Sequence, residues 1–166
     1  MPAGGAEGTM AIRAVSHVAV GVRDMDRALR FYRDTLGLRV KLDTVEEIPG
    51  FRGADARKRR AAYLGWSEGP HESFVVLDQP LSTDPIGQPA ELFQTGIHHF
   101  SFWVDDIDAI AARVRAGGFE LLFDPAVGDT LAYGEAPGGK VKSTFLRDPD
   151  GNYVQLDQRL EDAPRS

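Results

Sequence analysis

Apolar and polar positions alternate with period two over His17–Val22: Val18, Val20 and Val22 share one side, His17, Ala19 and Gly21 the other. The alternation recurs over His99–Val104, with Phe100, Phe102 and Val104 on one side and His99, Ser101 and Trp103 on the other. Such spacing predicts two strands, each with one face to bury and one face of different character. The period then lengthens. Met25, Ala28, Leu29, Tyr32 and Leu36, and later Ile107, Ile110, Ala111 and Val114, fall at helical spacing. Asp24 and Asp106 stand at the N-cap positions, where a carboxylate satisfies orphan backbone N–H groups and the positive end of the helix dipole. Gly37 and Gly118 supply the helix stops. Further strands are predicted at Leu38–Asp43, Ala61–Trp66 and Ser73–Asp78, then at Glu120–Phe123, Val141–Leu146 and Asn152–Asp157. The Gly- and Pro-bearing stretches Glu47–Ala56 and Asp124–Lys140 are long enough to be lids or rims.

These two patterns are one pattern written twice. HVAVGVRDMDRALRFYR from His17 lies over HFSFWVDDIDAIAARVR from His99, matching Val22 to Val104, Asp24 to Asp106 and Asp26 to Asp108. FVVLDQ (Phe74–Gln79) lies over YVQLDQ (Tyr153–Gln158), which pairs Val76 with Gln155 on the side opposite Val75, Leu77, Val154 and Leu156. The chain therefore divides into a disordered leader over 1–10, a first βαβββ module over 11–80, a linker over 81–96, a second βαβββ module over 97–158 and a tail over 159–166. The class is α+β.

Composition narrows the function. The 166 residues are 42% hydrophobic, ordinary for a soluble globular protein, and carry a net charge of −6, which argues against a nucleic-acid partner. With no cysteine, thiolate chemistry and cysteine metal sites are excluded. No apolar run reaches transmembrane length and no signal peptide opens the chain, so a cytoplasmic protein with no membrane partner is expected. No dinucleotide fingerprint, phosphate loop or nucleophile elbow occurs, so no organic cofactor is expected. Arg57-Lys58-Arg59-Arg60 is the one concentrated basic patch, read either as solvated charge or as a seat for a carboxylate or phosphate on a substrate tail. Asp148-Pro149-Asp150-Gly151 is a hairpin turn signal.

A strand-start histidine, a capped helix ending in LGL (Leu36–Leu38), GIHHF (Gly96–Phe100) and FLRDPDGNYVQL (Phe145–Leu156) together resemble the glyoxalase/bleomycin-resistance/extradiol-dioxygenase, or vicinal-oxygen-chelate, superfamily. The resemblance runs over Ile12–Arg159. It implies two tandem modules whose sheets form a cupped, half-barrel cavity, and a homodimer. Members that use a metal take ligands from the first and last strand of each module, which here are His17, Val76, His99 and Gln155. Val76 cannot ligate, and Gln155 offers an amide oxygen where the family usually has a glutamate. Two imidazoles and an amide bring no negative charge to a divalent cation, so the implied site (Fe, Mn, Ni, Zn or Co on His17, His99 and Gln155) is weak. Asp78 and Asp157, two residues further along the same side, are the nearest carboxylates for a shifted site. Phe74, Val76, Trp103 and Tyr153 share the histidine side and are the expected walls for a small-molecule substrate. His98 and His71 are read as rim residues, and no catalytic acid or base is singled out.

Two functions follow from the resemblance. One is a divalent-metal-dependent lyase, isomerase or dioxygenase acting on a substrate with vicinal oxygens; the other is a metal-free small-molecule (antibiotic) binding or resistance protein. The paired histidines favour the first. Both require an imidazole from each half to face one shared hollow.

Overall fold

Each half folds into a strand, a helix and three further strands, as the alternation predicts. The computed structural model describes residues 12, 14–50, 53, 55–69 and 71–164; the leader read over 1–10 lies outside them. In the first half, β1 (His17–Gly21) leads to α1 (Met25–Leu29), a π-helical turn over Arg30–Thr35, β2 (Arg39–Ile48), β3 (Arg57–Gly65) and β4 (Phe74–Pro80). In the second, β5 (His99–Trp103) leads to α2 (Ile107–Ala116), β6 (Ala126–Asp129), a 3₁₀ turn over Thr130–Tyr133, β7 (Lys140–Arg147) and β8 (Tyr153–Glu161). The sheets run β1-β4-β3-β2 and β5-β8-β7-β6, and neither closes into a barrel. Among the described residues, only the β1/β4 and β5/β8 pairs are parallel. The α+β pair of tandem cupped modules is therefore observed.

The duplication extends to the hydrogen bonds. Asp24 and Asp106 cap their helices, accepting at 2.9 Å from Arg27 N and Ala109 N. A second anchor was not foreseen. Gln79 Oε1 accepts from Met25 N at 3.1 Å, and Gln158 Oε1 accepts from Ile107 N at 3.0 Å. The glutamine of the repeated LDQ thus ties each last strand to its helix N-terminus, satisfying a donor the helix leaves orphaned.

The π turn also departs from simple helical spacing. Leu36 N reaches Phe31 O at 2.9 Å, one residue beyond the α-helical partner. The wider turn buries both Phe31 and Tyr32, whose rings meet edge-on at 4.9 Å. Period 3.6 alone brings only Tyr32 inward.

One hydrophobic cluster joins the halves. Val20, Met25, Leu29 and Phe31 belong to the same core as Ile107, Val114, Leu146 and Leu156. Phe31 meets Phe119 at 5.0 Å, and Trp66 meets Phe102 at 5.5 Å. The Asp-Pro-Asp-Gly segment is more than a turn. Asp148 Oδ1 accepts from Asp150 N and Asn152 N, while its Oδ2 accepts from the buried Tyr32 hydroxyl at 2.8 Å. Burial and the Asp148 charge both push the Tyr32 hydroxyl well above its ordinary pKa, so it stays protonated as the donor. The turn of one module is bolted to the helix of the other.

Several predicted boundaries shift. β2 runs on to Ile48 and β3 begins at Arg57, because opposite charges face each other across the ladder, Glu46 against Arg59 and Glu47 against Lys58. The strand predicted at Glu120–Phe123 is reduced to one bridge between Leu121 and Leu146. The edge strand forms instead at Ala126–Asp129, inside the expected lid and after Pro125, which has no N–H to donate. β8 continues to Glu161, so Arg159 and Glu161, expected in the tail, pair with β7.

Candidate functional site

The register places the predicted residues in matching rows. His17, Ala19 and Gly21 lie beside Phe74, Val76 and Asp78; His99, Ser101 and Trp103 lie beside Tyr153, Gln155 and Asp157. Val76 and Gln155 are equivalent, as the repeat implied. The valines and phenylalanines of alternate parity face the common core, so both histidine rows lie on faces turned away from it.

On the first sheet, the exposed His17 stacks on Phe74 with centroids 5.1 Å apart, and Ser16 Oγ lies 2.9 Å from its Nδ1. Val76 is 4% exposed, beside Tyr63 and Ala19 in the register. Further along, Arg59 binds both Glu46, at 2.9 Å, and Asp78. Tyr63 donates to Glu46 at 2.8 Å. Sequence reasoning missed Glu46 and Tyr63, and had Arg59 only as a member of the basic run. Carrying the parity of Val76 across the neighbouring strands would have found them.

On the second sheet, His99 is half-buried against Phe145, with its Nδ1 2.8 Å from His98 Nδ1. Burial foremost, then the neighbouring His98, lowers its pKa against a small opposing pull from Asp157. The ring is thereby held in the neutral form that ligates metals or accepts protons. Asp157 is 2% exposed and accepts from the Ser101 hydroxyl, from Tyr133 at 2.7 Å and from Gln155 Nε2 at 2.8 Å. This carboxylate is therefore satisfied internally rather than offered as a shifted ligand. It also orients Gln155: the amide N–H₂ must face the carboxylate, and among the described residues nothing donates to the amide oxygen. Tyr133, contributed by the expected lid, has its hydroxyl pKa raised, first by burial and then by Asp157. Trp103 is 57% exposed, with Arg159 lying 5.0 Å from its ring centre. Tyr153 is buried, donates to Glu91 at 2.7 Å and lies under Arg147, so its hydroxyl already has partners.

The sequence leaves open whether the two halves share a hollow within one chain or between chains, and the contacts of a single chain do not bring the two histidines together. His17 and His99 have no neighbour in common in these contacts, and the modules meet through their helix-covered faces. Duplication specifies which face each histidine occupies, not how the two modules are docked. Among the described residues, no cluster of three or more His, Cys, Asp or Glu side chains surrounds a common point, and no helix is long and apolar enough to cross a membrane.

Residues 14–156 match the model of the Glyoxalase/Bleomycin resistance protein/Dioxygenase superfamily. The chain belongs to that superfamily. It is 29% identical over 142 residues to a lactoylglutathione lyase of Haemophilus influenzae, covering 86% of this chain and 90% of that protein. It is 32% identical over 147 residues to a probable chloroplastic lactoylglutathione lyase of Arabidopsis thaliana, covering 89% of this chain but only 36% of the plant protein. In fold it is similar to a glyoxalase family protein from Bacillus cereus, with a TM-score of 0.69, 18% identity and coverage of 93% and 99% of the two chains.

Proposed function

We propose that the chain is a cytoplasmic, divalent-metal-dependent lyase or isomerase of small molecules with vicinal oxygens, working as a homodimer. In this reading the first sheet of one copy faces the second sheet of the other, so that His17 meets the partner's His99 and the partner's Gln155. The observation that carries it is the equivalence of His17 and His99 on outward faces, with Gln155 held by Asp157 so that its amide oxygen is left for a ligand. The lactoylglutathione lyase names of the relatives support the same reaction class. Two imidazoles and an oriented amide fit a divalent ion as a three-donor set, with the Asp157 carboxylate behind the amide. Bound there, the ion would supply Lewis acidity to adjacent substrate oxygens. Phe74, Val76, Trp103 and Tyr153 supply apolar walls that position the substrate and thin out water.

Metal analysis of protein purified without chelator tests the proposal. Stoichiometric metal in the wild type, lost in His99→Ala and held more tightly in Gln155→Glu, supports it. A metal-free wild type that Gln155→Glu does not load overturns it.

Val76 favours a second reading, a metal-free binder of small aromatic molecules. An apolar, 4% exposed side chain fills one of the four ligand positions, beside Phe74 and Tyr63. Tight binding of an aromatic ligand by the metal-free chain, unaffected by His99→Ala, would select it.

A further inference from the structure

The GIHHF segment carries a histidine that the proposed function leaves idle. His98 lies 2.8 Å from His99, Nδ1 to Nδ1, with the ring centroids 4.6 Å apart. The other half holds its counterpart. Under the repeat that lays His17 over His99, Ser16 lies over His98, and Ser16 Oγ sits 2.9 Å from His17 Nδ1. In each module, the residue just before the histidine reaches round to that ring's Nδ1.

Strand geometry explains why this residue can make the contact. Neighbours within a strand point to opposite faces and do not meet. β1 begins at His17 and β5 at His99, so Ser16 and His98 stand one step outside the alternation. Phe74 N donates to Ser16 O at 3.1 Å and fixes the first of them. Phe93 of the linker lies 6.2 Å from the ring of the second.

The contact decides which nitrogen carries the proton. A neutral imidazole has one N–H and one lone pair, and the partner of one nitrogen sets the role of the other. In water the proton prefers Nε2, which leaves that nitrogen unable to ligate. In the fold, His99 is half-buried against Phe145, and among the described residues its Nε2 has no hydrogen-bond partner. A half-buried N–H without an acceptor forfeits its hydrogen bond, so the proton belongs on Nδ1, where His98 accepts it.

We propose that His98 is a positioning residue: its Nδ1 accepts from His99 Nδ1–H and so fixes the tautomer that leaves the His99 Nε2 lone pair free for a divalent cation. Ser16 Oγ acts in the same way on His17. The assignment of Nε2 to a cation rests on the metal-dependent reading above; the tautomer does not. The Ser16 pair is exposed to water, and the part-buried His98–His99 pair is the stronger of the two.

Nitrogen NMR of the imidazole rings in the metal-free chain, at about pH 8 and so above the ordinary histidine pKa of about 6.5, reads the tautomer directly. His99 is expected as the Nδ1–H form in the wild type and in His98→Asn, whose Oδ1 replaces the lost acceptor, and as the Nε2–H form in His98→Leu. Titration of the chelator-stripped chain with Zn²⁺ should show His98→Leu binding about tenfold weaker or more. His98→Asn should keep the wild-type affinity, and Ser16→Ala should lose less than His98→Leu. An Nε2–H form of His99 in the wild type overturns the proposal without recourse to any variant. So does an equal loss of Zn²⁺ affinity in His98→Asn and His98→Leu, which would make His98 a ligand or a packing residue. A wild type that shows the Nδ1–H form yet binds no Zn²⁺ upholds the positioning and removes the metal reading alone.

Discussion

Tyr32→Phe removes one hydroxyl from the joint between the modules. That hydroxyl is fully buried and donates at 2.8 Å to Asp148 Oδ2, an oxygen that also accepts from Asn152 Nδ2 at 2.9 Å. Losing a hydrogen bond to a charged acceptor costs about 1.5–3 kcal/mol, and the retained Asn152 bond places this case near ~2 kcal/mol. For a chain of this size each kcal/mol moves the midpoint by about 2–4 °C, so Tm should fall by about 4–8 °C. Calorimetry and urea unfolding at pH 7 measure this directly. The decisive comparison repeats the change in an Asp148→Ala background, where the acceptor is gone and the further cost should be under about 0.5 kcal/mol. A Tm loss below about 1 °C in the wild-type background, or an equal cost in both backgrounds, would refute the claim that this bond joins the halves.

Two further outcomes are expected. Because burial lowers the His99 pKa in the fold, the unfolded chain binds the proton more readily; the stability from this group is complete above the ordinary value of 6.5 and is lost as pH falls through the folded pKa. The wild type should therefore lose more urea resistance than His99→Gln between pH 7 and pH 5, and NMR titration of the His99 ring should place its midpoint below 6.5; a midpoint at or above that value contradicts the assignment. Gly118 has φ +76°, and a Cβ there would meet nothing within 4 Å, so Gly118→Ala tests backbone handedness alone. It should cost about 1 kcal/mol, seen as a modest drop in Tm, and a negligible change would show that the left-handed stop is dispensable.

Parity and duplication made much of the scaffold legible. His17–Gly21, His99–Trp103, both capped helices and the equivalence of Val76 with Gln155 all follow from spacing that one strand or helix carries by itself. What escaped depends on partners distant in sequence. The stretch Arg57–Arg60 reads as solvated charge or as an anion seat until Glu46, Glu47 and Asp43 are brought opposite it. Tyr133 reads as a loop residue until the 3₁₀ turn carries it over Asp157. Asp148 reads as a turn former until Tyr32 arrives from the other module. The docking of the modules was likewise hidden, because Val18 and Phe100 announce that their faces are covered but not by what. The two rows follow from parity within each module, while their placement relative to one another, within or between chains, is left open by spacing alone.

The paired glutamines divide labour within a single strand. Gln79 and Gln158 work on the same side as Leu77 and Leu156, where they hold the helices, and leave Phe74, Val76 and Asp78, or Tyr153, Gln155 and Asp157, free of that task. Chassis and cargo interleave residue by residue. After duplication, one copy could become greasy and the other polar without either losing its helix. The same partition offers protein engineers an exchangeable cartridge: transplanting the Tyr153/Gln155/Asp157 trio onto the Phe74/Val76/Asp78 positions rewrites the chemistry of one sheet while leaving its attachment to the helix intact.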